Sequence, residues 1–586
     1  MGVPIAEVLA EAAVVIPAVA PQSEEDRWKD VPILDSTEEL FGRRGDKKES
    51  MIPKFLGRQS GHQNKSAHVQ RNPNPANVFL MFMHGDITSK FVASTNQFAA
   101  LMNVPNWKQL TEREFLHFIF IIIFMGVVKL PERCMYWQKD DYGQAFPRKL
   151  MSGRRFEQIM ANWHWVVIEQ EHKAEAKRRD PFYLVEGFVE LMADTAQHFW
   201  RLGQFVGIDE MSIYYKGRHK CKCYNPNKPE KWHFKAFCLN DGETGYLWNF
   251  YLYRGASEVR EAGWSATAYP IKKLTDPFTN LYHTAKNFVM CTDNWYTSFE
   301  IAEYLWNTYK IHLIGTIKTN RTGLPKSRIF PDKGRNKRQC GVMNMAKTVI
   351  DGNPYYFTSW MDSRPVHGLS TLPTTKSSVP RKMKEGPDAP FRVVQVPRPD
   401  MWHWYNHGMG GTDLHDQFNK YYRTTVRCNK WPVRIYTHSI TSAVTNAYIL
   451  YKNFTNLETK DISLKAFIQE MLALVVTDFD DSSNDEKNDA VETDDSDSGS
   501  DNDVPAEKKV YKKRKKIPNA VRLDNDHYYA RQVKSKEGDK IRHRGGCQNC
   551  KTKVSTKCHK CDAYLCIDST GDKTCFEIFH ERAGLK

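Results

Sequence analysis

Two carboxylates stand at the ends of apolar, strand-like runs. Asp209 closes Gln204-Phe205-Val206-Gly207-Ile208-Asp209, and Asp293 closes Phe288-Val289-Met290-Cys291-Thr292-Asp293. A third acidic pair, Asp413 and Asp416, follows Met409-Gly410-Gly411-Thr412. A strand delivers a side chain rigidly to the edge of a sheet, so neighbouring strands can hold Asp209 and Asp293 near enough to share a cation. Asp413 and Asp416 are three residues apart, and on a helix entered after the glycines both face one side. Carboxylates distant in sequence and gathered by a fold suit hard divalent cations, because Mg²⁺ takes oxygen ligands from a few carboxylates, waters and substrate phosphates. Two such cations about 3.5–4 Å apart would activate an attacking oxygen and stabilise a departing one at phosphorus, without a protein nucleophile. The expected metal-binding catalytic acids are therefore Asp209, Asp293 and Asp413. Asp416 ranks below them, as a ligand or as the group that orients Asp413. Glu210 ranks lower still, because alternate residues along a strand face opposite sides.

A second constellation lies near the carboxyl terminus. Cys547-x-x-Cys550, Cys558-x-x-Cys561, Cys566, Cys575 and His580 put seven ligand-type residues within 34 positions. Paired Cys-x-x-Cys knuckles set thiolates at the distances tetrahedral Zn²⁺ requires, and such small domains depend on the metal for folding. Two zinc ions in a cross-brace need eight ligands, and His543, His559 and Asp568 are the candidates for the eighth. Cys221, Cys238 and the remaining cysteines show no such spacing and read as core or surface thiols.

The elements that must carry the acids can be read from periodicity. Residues 76–200 show apolar positions at helical spacing, among them Trp107, Phe115, Phe118, Ile122, Phe156, Trp163 and Phe188, which predicts a helical domain. From 201 to 320 the signal changes. A run to Asp209, a strand over Lys231 to Leu239, the turn Asn240 to Gly245 and a strand from Tyr246 to Arg254 predict a hairpin. A buried strand ending at Asp293 follows, then an amphipathic helix through Phe299, Ala302, Leu305 and Trp306, then a strand from Leu313 to Lys318. Together these predict a mixed α/β sheet. Between 321 and 397 the pattern breaks into short β-prone pieces, and Lys318 to Pro399 holds sixteen Lys and Arg against five acids. Helical segments from Trp431 to about Val476 are expected to pack back on the amino-terminal helices.

Composition narrows the partner. The 586 residues carry a net charge of +15, although Asp478 to Asp503 sets twelve acids against Lys487 alone. The remainder is more basic still, and a basic folded body attracts a polyanion. The acidic stretch is a solvated linker with almost nothing to bury, and Lys508 to Lys516 after it is a candidate nuclear import signal or DNA-contacting arm. Residues 1–75 are polar, contain proline and lack sustained periodicity, so disorder is expected there. The longest apolar run, Phe118 to Val128, is well short of the ~20 residues of a bilayer helix. Met1 to Ala20 contains Glu7 and Glu11 and lacks a basic start, which argues against a secretory signal.

Longer words make the reading specific. Gly207-Ile208-Asp209-Glu210-Met211 leads to Tyr215-Lys216-Gly217-Arg218 and Asn227-Lys228-Pro229-Glu230-Lys231-Trp232. Thr292-Asp293-Asn294-Trp295-Tyr296-Thr297-Ser298 and Tyr405-Asn406-His407-Gly408-Met409-Gly410-Gly411-Thr412-Asp413 follow. In this order and at these separations they resemble the piggyBac family of DNA transposases, over roughly Asn77 to Ile468 and again in the tail. The resemblance implies an α/β, ribonuclease H-like catalytic domain made of 201–320 and 398–428. It implies a helical dimerisation and DNA-binding domain at 76–200, completed by 429–476, and a basic, β-rich insertion domain at 321–397. After an acidic linker and basic arm, 477–541, comes a small zinc-binding cross-brace domain at 542–586. Family members place a Cys or a His near the position of Cys566 and end in a motif matched here by Cys575-Phe576-Glu577-Ile578-Phe579-His580.

The activity implied is hydrolytic nicking at transposon ends, attack of the freed 3′ hydroxyl to form a hairpin, hairpin opening, and joining into TTAA targets. The implied cofactors are two Mg²⁺, with Mn²⁺ as substitute, and two Zn²⁺. The implied partners are double-stranded DNA, a second copy of the chain, and import factors acting on Lys508 to Lys516 to deliver it to the nucleus; no membrane is expected. The alternative is a domesticated nuclear DNA-binding protein that keeps the fold without strand transfer. Retention of all four acids argues against that loss of chemistry.

Overall fold

The computed structural model describes residues 27–30, 61–62, 74–281, 287–331, 340–384, 390–424, 428–454 and 462–482, with four two-residue strands beyond 530. The chain divides into two units, Met1–Asp489 and Ala490–Lys586.

In the first unit, helices come first: α1 (Pro75–Phe82), α2 (Gly85–Leu101), α3 (Glu112–Val127), α4 (Gly153–Asn162) and α5 (Glu186–Phe199). Local chemistry starts several of them. The Asn74 side chain accepts from Asn77 N–H with Pro75 in the first turn, Thr111 accepts from Glu114 N–H, and Ser152 accepts from Arg155 N–H. Each satisfies an amide that a helix start leaves unpaired. The ring of Phe91 on α2 lies 5.0–5.7 Å from those of Phe115, Trp163, Trp165, Phe188 and Tyr436. Tyr436 belongs to α9 (Trp431–Phe454), so the late helix does return to complete this core.

Among the described residues the main sheet has ten strands. Eight are β1 (Phe205–Tyr214), β2 (Trp232–Asp241), β3 (Leu247–Leu252), β4 (Val289–Thr292), β5 (His312–Thr316), β6 (Met343–Ile350), β7 (Asn353–Met361) and β8 (Pro365–Ser370). The order is Lys29–Asp30, β6, β7, β8, β5, β4, β1, β2, Cys223–Tyr224, with β3 also paired to β2. β1, β4 and β5 run parallel, and the other pairings are antiparallel. Helix α6 (Phe299–Tyr309) makes the crossover from β4 to β5. Ser298 caps its start by accepting from Ile301 N–H, and Lys310 ends it in the left-handed conformation at φ 57°.

Two expectations change here. The 321–397 stretch, expected as a separate insertion, instead supplies β6, β7 and β8 to the main sheet, because β8 pairs with β5 through Gly368↔Thr316 and Ser370↔Ile314. The hairpin of β9 (Lys376–Met383) and β10 (Arg392–Pro399) forms a sheet of its own. The basic composition comes mainly from the segment 318–338 and from the β9–β10 hairpin, whereas β6, β7 and β8 together carry Lys347 alone and bury residues such as Phe357 and Leu369 fully. Within the 1–75 region, Trp28 is 4% exposed, packs against Phe299 and Phe357, and donates from Nε1 to Gly323 O at 2.9 Å. Lys29–Asp30 then pairs with β6.

Helices α7 (Met401–Met409) and α8 (Gly411–Tyr421) lie directly on the sheet. A Cβ on Gly207 would stand 2.7 Å from Gly408 O, and one on Gly411 would stand 2.6 Å from Asp241 O. Only glycine permits backbone to approach backbone this closely. The first unit ends with α10 (Leu464–Ser482). No helix among the described residues is long and apolar enough to cross a membrane.

In the second unit, Arg531–Gln532 pairs antiparallel with Thr556–Lys557, and Gly545–Gly546 with Lys553–Val554. The expected zinc ligands Cys547, Cys550, Cys558, Cys561, Cys566, Cys575 and His580, and the basic arm Lys508 to Lys516, lie outside the described residues.

Candidate active site

Asp209 sits midway along β1, opposite Cys238 of β2 and one residue past the last β1–β4 pair, Ile208↔Thr292. β4 stops there, so the edge of β1 is bare from Asp209 onward. Asp293 is the first residue after β4. A tight turn fixes it, with Trp295 N–H donating to its Oδ1 at 2.9 Å and Thr297 N–H to its carbonyl at 3.1 Å. Asp209 Oδ1 accepts from Glu210 N–H at 2.7 Å.

The other two acids arrive on α8, Asp413 in its first turn and Asp416 one turn on. Buried polar contacts register this helix on the sheet. Thr412 Oγ1 donates to Asn240 Oδ1 at 2.9 Å, and His415 Nδ1 meets the Gly245 carbonyl at 3.1 Å. Asn419 joins α8 to α9 by donating to Ser442 at 3.0 Å and accepting from Thr445 at 2.7 Å. Burial pushes His415 down to about 4, so at neutral pH it is an uncharged strut.

Asp209, Asp293, Asp413 and Asp416 line one cleft of about 400 Å³. Burial first, then the charges of Asp293, Glu210 and Asp413, push Asp209 up to about 7 against its single backbone hydrogen bond. Burial also raises Asp416, to about 6, although Lys420 and Lys228 pull it down. Asp293 is raised by burial and then by Glu210, with the Trp295 and Tyr296 amides and Lys318 opposing. The acids share a cleft without converging on a point. Among the described residues, the only three ligand groups whose atoms lie within 4.8 Å of one another are the exposed Glu169, Glu171 and His172.

Strand parity undervalued Glu210. It points to the opposite face of β1, where its Oε1 lies 2.8 Å from Lys235 Nζ and 3.3 Å from Tyr296 OH, yet it also lines the cleft. The bare edge beyond β4 exposes both faces of β1 to the same space. Lys228, Glu230, Lys420 and Arg423 line the cleft too and were not singled out. Lys228 Nζ donates to Ser212 Oγ at 3.1 Å, and Arg423 pairs with Glu230. A signal existed for three of them: Lys228 and Glu230 fall inside Asn227 to Trp232, and Lys420 continues the Asp413–Asp416 stripe four residues on.

Not every buried acid belongs to this cleft. Asp180 receives two hydrogen bonds of 3.1 Å from Arg254, whose guanidinium also meets Glu186 at 2.5 Å.

The chain matches the family model described as Transposase IS4 over residues 74–448, a span containing all four cleft acids. It is 24% identical over 417 residues to PiggyBac transposable element-derived protein 3 of Homo sapiens, covering 70% of this chain and 66% of that protein. It is 23% identical over 385 residues to PiggyBac transposable element-derived protein 2 of Homo sapiens, covering 65% of this chain and 62% of that protein. The chain thus spans just under two thirds of the length of these relatives. The cryo-EM structure of the piggyBac transposase synaptic complex with hairpin DNA matches with a TM-score of 0.60 at 21% identity, over 74% of this chain and 85% of that one. At that identity the likeness is one of fold.

Proposed function

The chain belongs to the piggyBac-type transposase family, and on that premise we propose that it is a DNA transposase, cutting element ends and joining them into TTAA targets by metal-dependent phosphoryl transfer. The observation that carries this reading is the gathering of Asp209, Asp293, Asp413 and Asp416, from three separate stretches of chain, into one cleft where burial and mutual repulsion raise three of them. The donor set fits hard divalent ions, being carboxylate oxygen throughout. Asp209, Asp293 and Asp413 are assigned to hold two Mg²⁺, and Asp416 to ligate or to orient Asp413. Metal bound there supplies activation of the attacking oxygen and stabilisation of the leaving one. The chain's own contribution is placement: β1 and the turn after β4 fix two acids, α8 brings the others, and Lys228 and Lys420 stand ready for DNA phosphates.

The parallel β1–β4–β5 core with its antiparallel hairpin is read as ribonuclease H-like. The cysteine-rich tail is assigned as a zinc cross-brace for end recognition, Lys508 to Lys516 as the nuclear import signal, and a second copy as the working partner.

The test is nicking of end-labelled DNA carrying the element's own terminus in Mg²⁺. The wild type should nick it. Asn at Asp209, Asp293 or Asp413 should abolish nicking and keep DNA binding, which depends on cationic side chains. A second reading, a domesticated DNA-binding protein without strand transfer, is favoured by relatives whose names mark them as transposable element-derived human proteins. It predicts a wild type that binds the terminus and never nicks it in Mg²⁺ or Mn²⁺.

A further inference from the structure

Beside the acid cleft, the loop from Lys216 to Lys231 carries six Lys and Arg against a single acid, Glu230. Two large rings stand on this loop where it enters β2. Tyr224 and Trp232 are cross-strand partners with centroids 4.5 Å apart, and they are 53% and 39% exposed. Lys222 Nζ lies 4.5 Å over the Trp232 ring. The loop is braced. Tyr215 N–H donates to Trp232 O at 3.2 Å, Asn225 N–H to Lys231 O at 2.9 Å, and Lys222 Nζ to Gly217 O at 2.8 Å. The same loop sends Lys228 and Glu230 into the acid cleft. Trp232 is two residues from Glu230, at most about 7 Å of extended chain from the cleft wall.

A rigid, exposed aromatic pair costs solubility unless something covers it, and here the surroundings select the cover. The cations favour a polyanion, and flat faces beside cations favour nucleobases, because every base offers a π face that stacks on an aromatic platform. An intact duplex hides those faces in its own stack. We propose that Tyr224 and Trp232 form a stacking subsite for an unpaired nucleobase of the DNA strand whose backbone enters the acid cleft, with Lys228 beside the adjoining phosphate. The inference rests on DNA as the substrate and adds the state of the strand: one nucleotide beside the reacting phosphate is out of the helix.

The experiment measures binding of the full chain, in EDTA, to a blunt duplex and to the same duplex with a four-nucleotide unpaired extension. The wild type should prefer the extended DNA about tenfold or more. Trp232→Ala should bring that preference close to one and leave blunt-duplex affinity unchanged, while Trp232→Phe keeps most of it. Abasic residues in the extension should reproduce the loss in the wild type and add nothing to Trp232→Ala. A Trp232→Ala protein that keeps the preference overturns the subsite, and so does an abasic extension bound as tightly as a base-bearing one. A change in sedimentation with no change in DNA preference would make the rings a contact between copies and likewise overturn it. These readouts need no cleavage, so their failure leaves the acid-cleft reading standing; a wild type that binds no DNA of any form would sink both.

Discussion

Asp180 and Asp209 are both withdrawn from water, and their surroundings treat them in opposite ways. Burial raises each. At Asp180 the paired hydrogen bonds and charge of Arg254, with the Phe182 N–H at 2.9 Å, outweigh that cost and hold the carboxyl below its ordinary range. At Asp209 one backbone N–H is set against three neighbouring acids, and the carboxyl rises to about 7. The first acid has its cation built into the chain, so its cluster is complete as folded. The second shares a cleft with acids, and the Glu210 N–H alone does not offset their charge and its burial. A buried carboxylate with its own guanidinium belongs to the architecture, and buried carboxylates whose charge no side-chain cation offsets are candidates for chemistry.

The comparison breaks first on substitution. Asp209→Asn or Asp293→Asn should lower end nicking by about 10³-fold or more, as expected when a metal-centred phosphoryl transfer loses a ligand, while thermal unfolding shows no loss of stability. Arg254→Leu should do the reverse. Leaving Asp180 and Glu186 without their cation should cost about 3–5 kcal/mol, read as a lowered denaturant midpoint, with nicking by the remaining folded protein near normal. If Arg254→Leu abolishes nicking without loss of stability, the two acid groups are not different in kind.

Divalent metal sharpens the contrast more gently. Mg²⁺ at a hundred times its dissociation constant should stabilise the wild type by about 2.7 kcal/mol, and this gain should vanish in Asp209→Asn and survive in Arg254→Leu. The smallest effect is the pH profile without metal. Asp209 keeps its proton in the folded state up to about 7, whereas in the unfolded chain it loses it near its ordinary value of 3.8. Between those values the folded state binds more protons, so this group's contribution to stability falls as pH rises across the window. Asp209→Asn should flatten that slope in apo urea titrations. Asp180 has the opposite sign: its lowered pKa stabilises above the ordinary carboxylate value, and that contribution is lost as pH falls through the folded pKa.

Asp209, Asp293 and the Gly410-Gly411 entry to α8 could be read directly, because each is a local pattern: an apolar run ending in an acid, or a glycine pair before a helix. Even the hairpin of β2 and β3 announced itself through Asn240 to Gly245. Partner choice over long separations was harder to see. Arg423 meets Glu230 across nearly two hundred residues, and nothing beside either residue encodes the pairing. The place of β6, β7 and β8 in the main sheet depends on Gly368 finding Thr316, which composition cannot express. Glu210 was undervalued because strand parity assumes a covered edge, and the early end of β4 removes it.

The docking of Trp28 has a consequence for synthesis. Its hydrogen-bond partner Gly323 lies 295 residues further along the chain, and the strand that Lys29–Asp30 joins comes later still. At the ~5–20 residues per second of translation, this indole must wait on the order of half a minute after leaving the ribosome before its pocket exists. α8 arrives later again, so a nascent chain cannot assemble the acid cleft until Gly411–Tyr421 has been made. The order of translation therefore makes the acid cleft one of the last parts of the first unit to form.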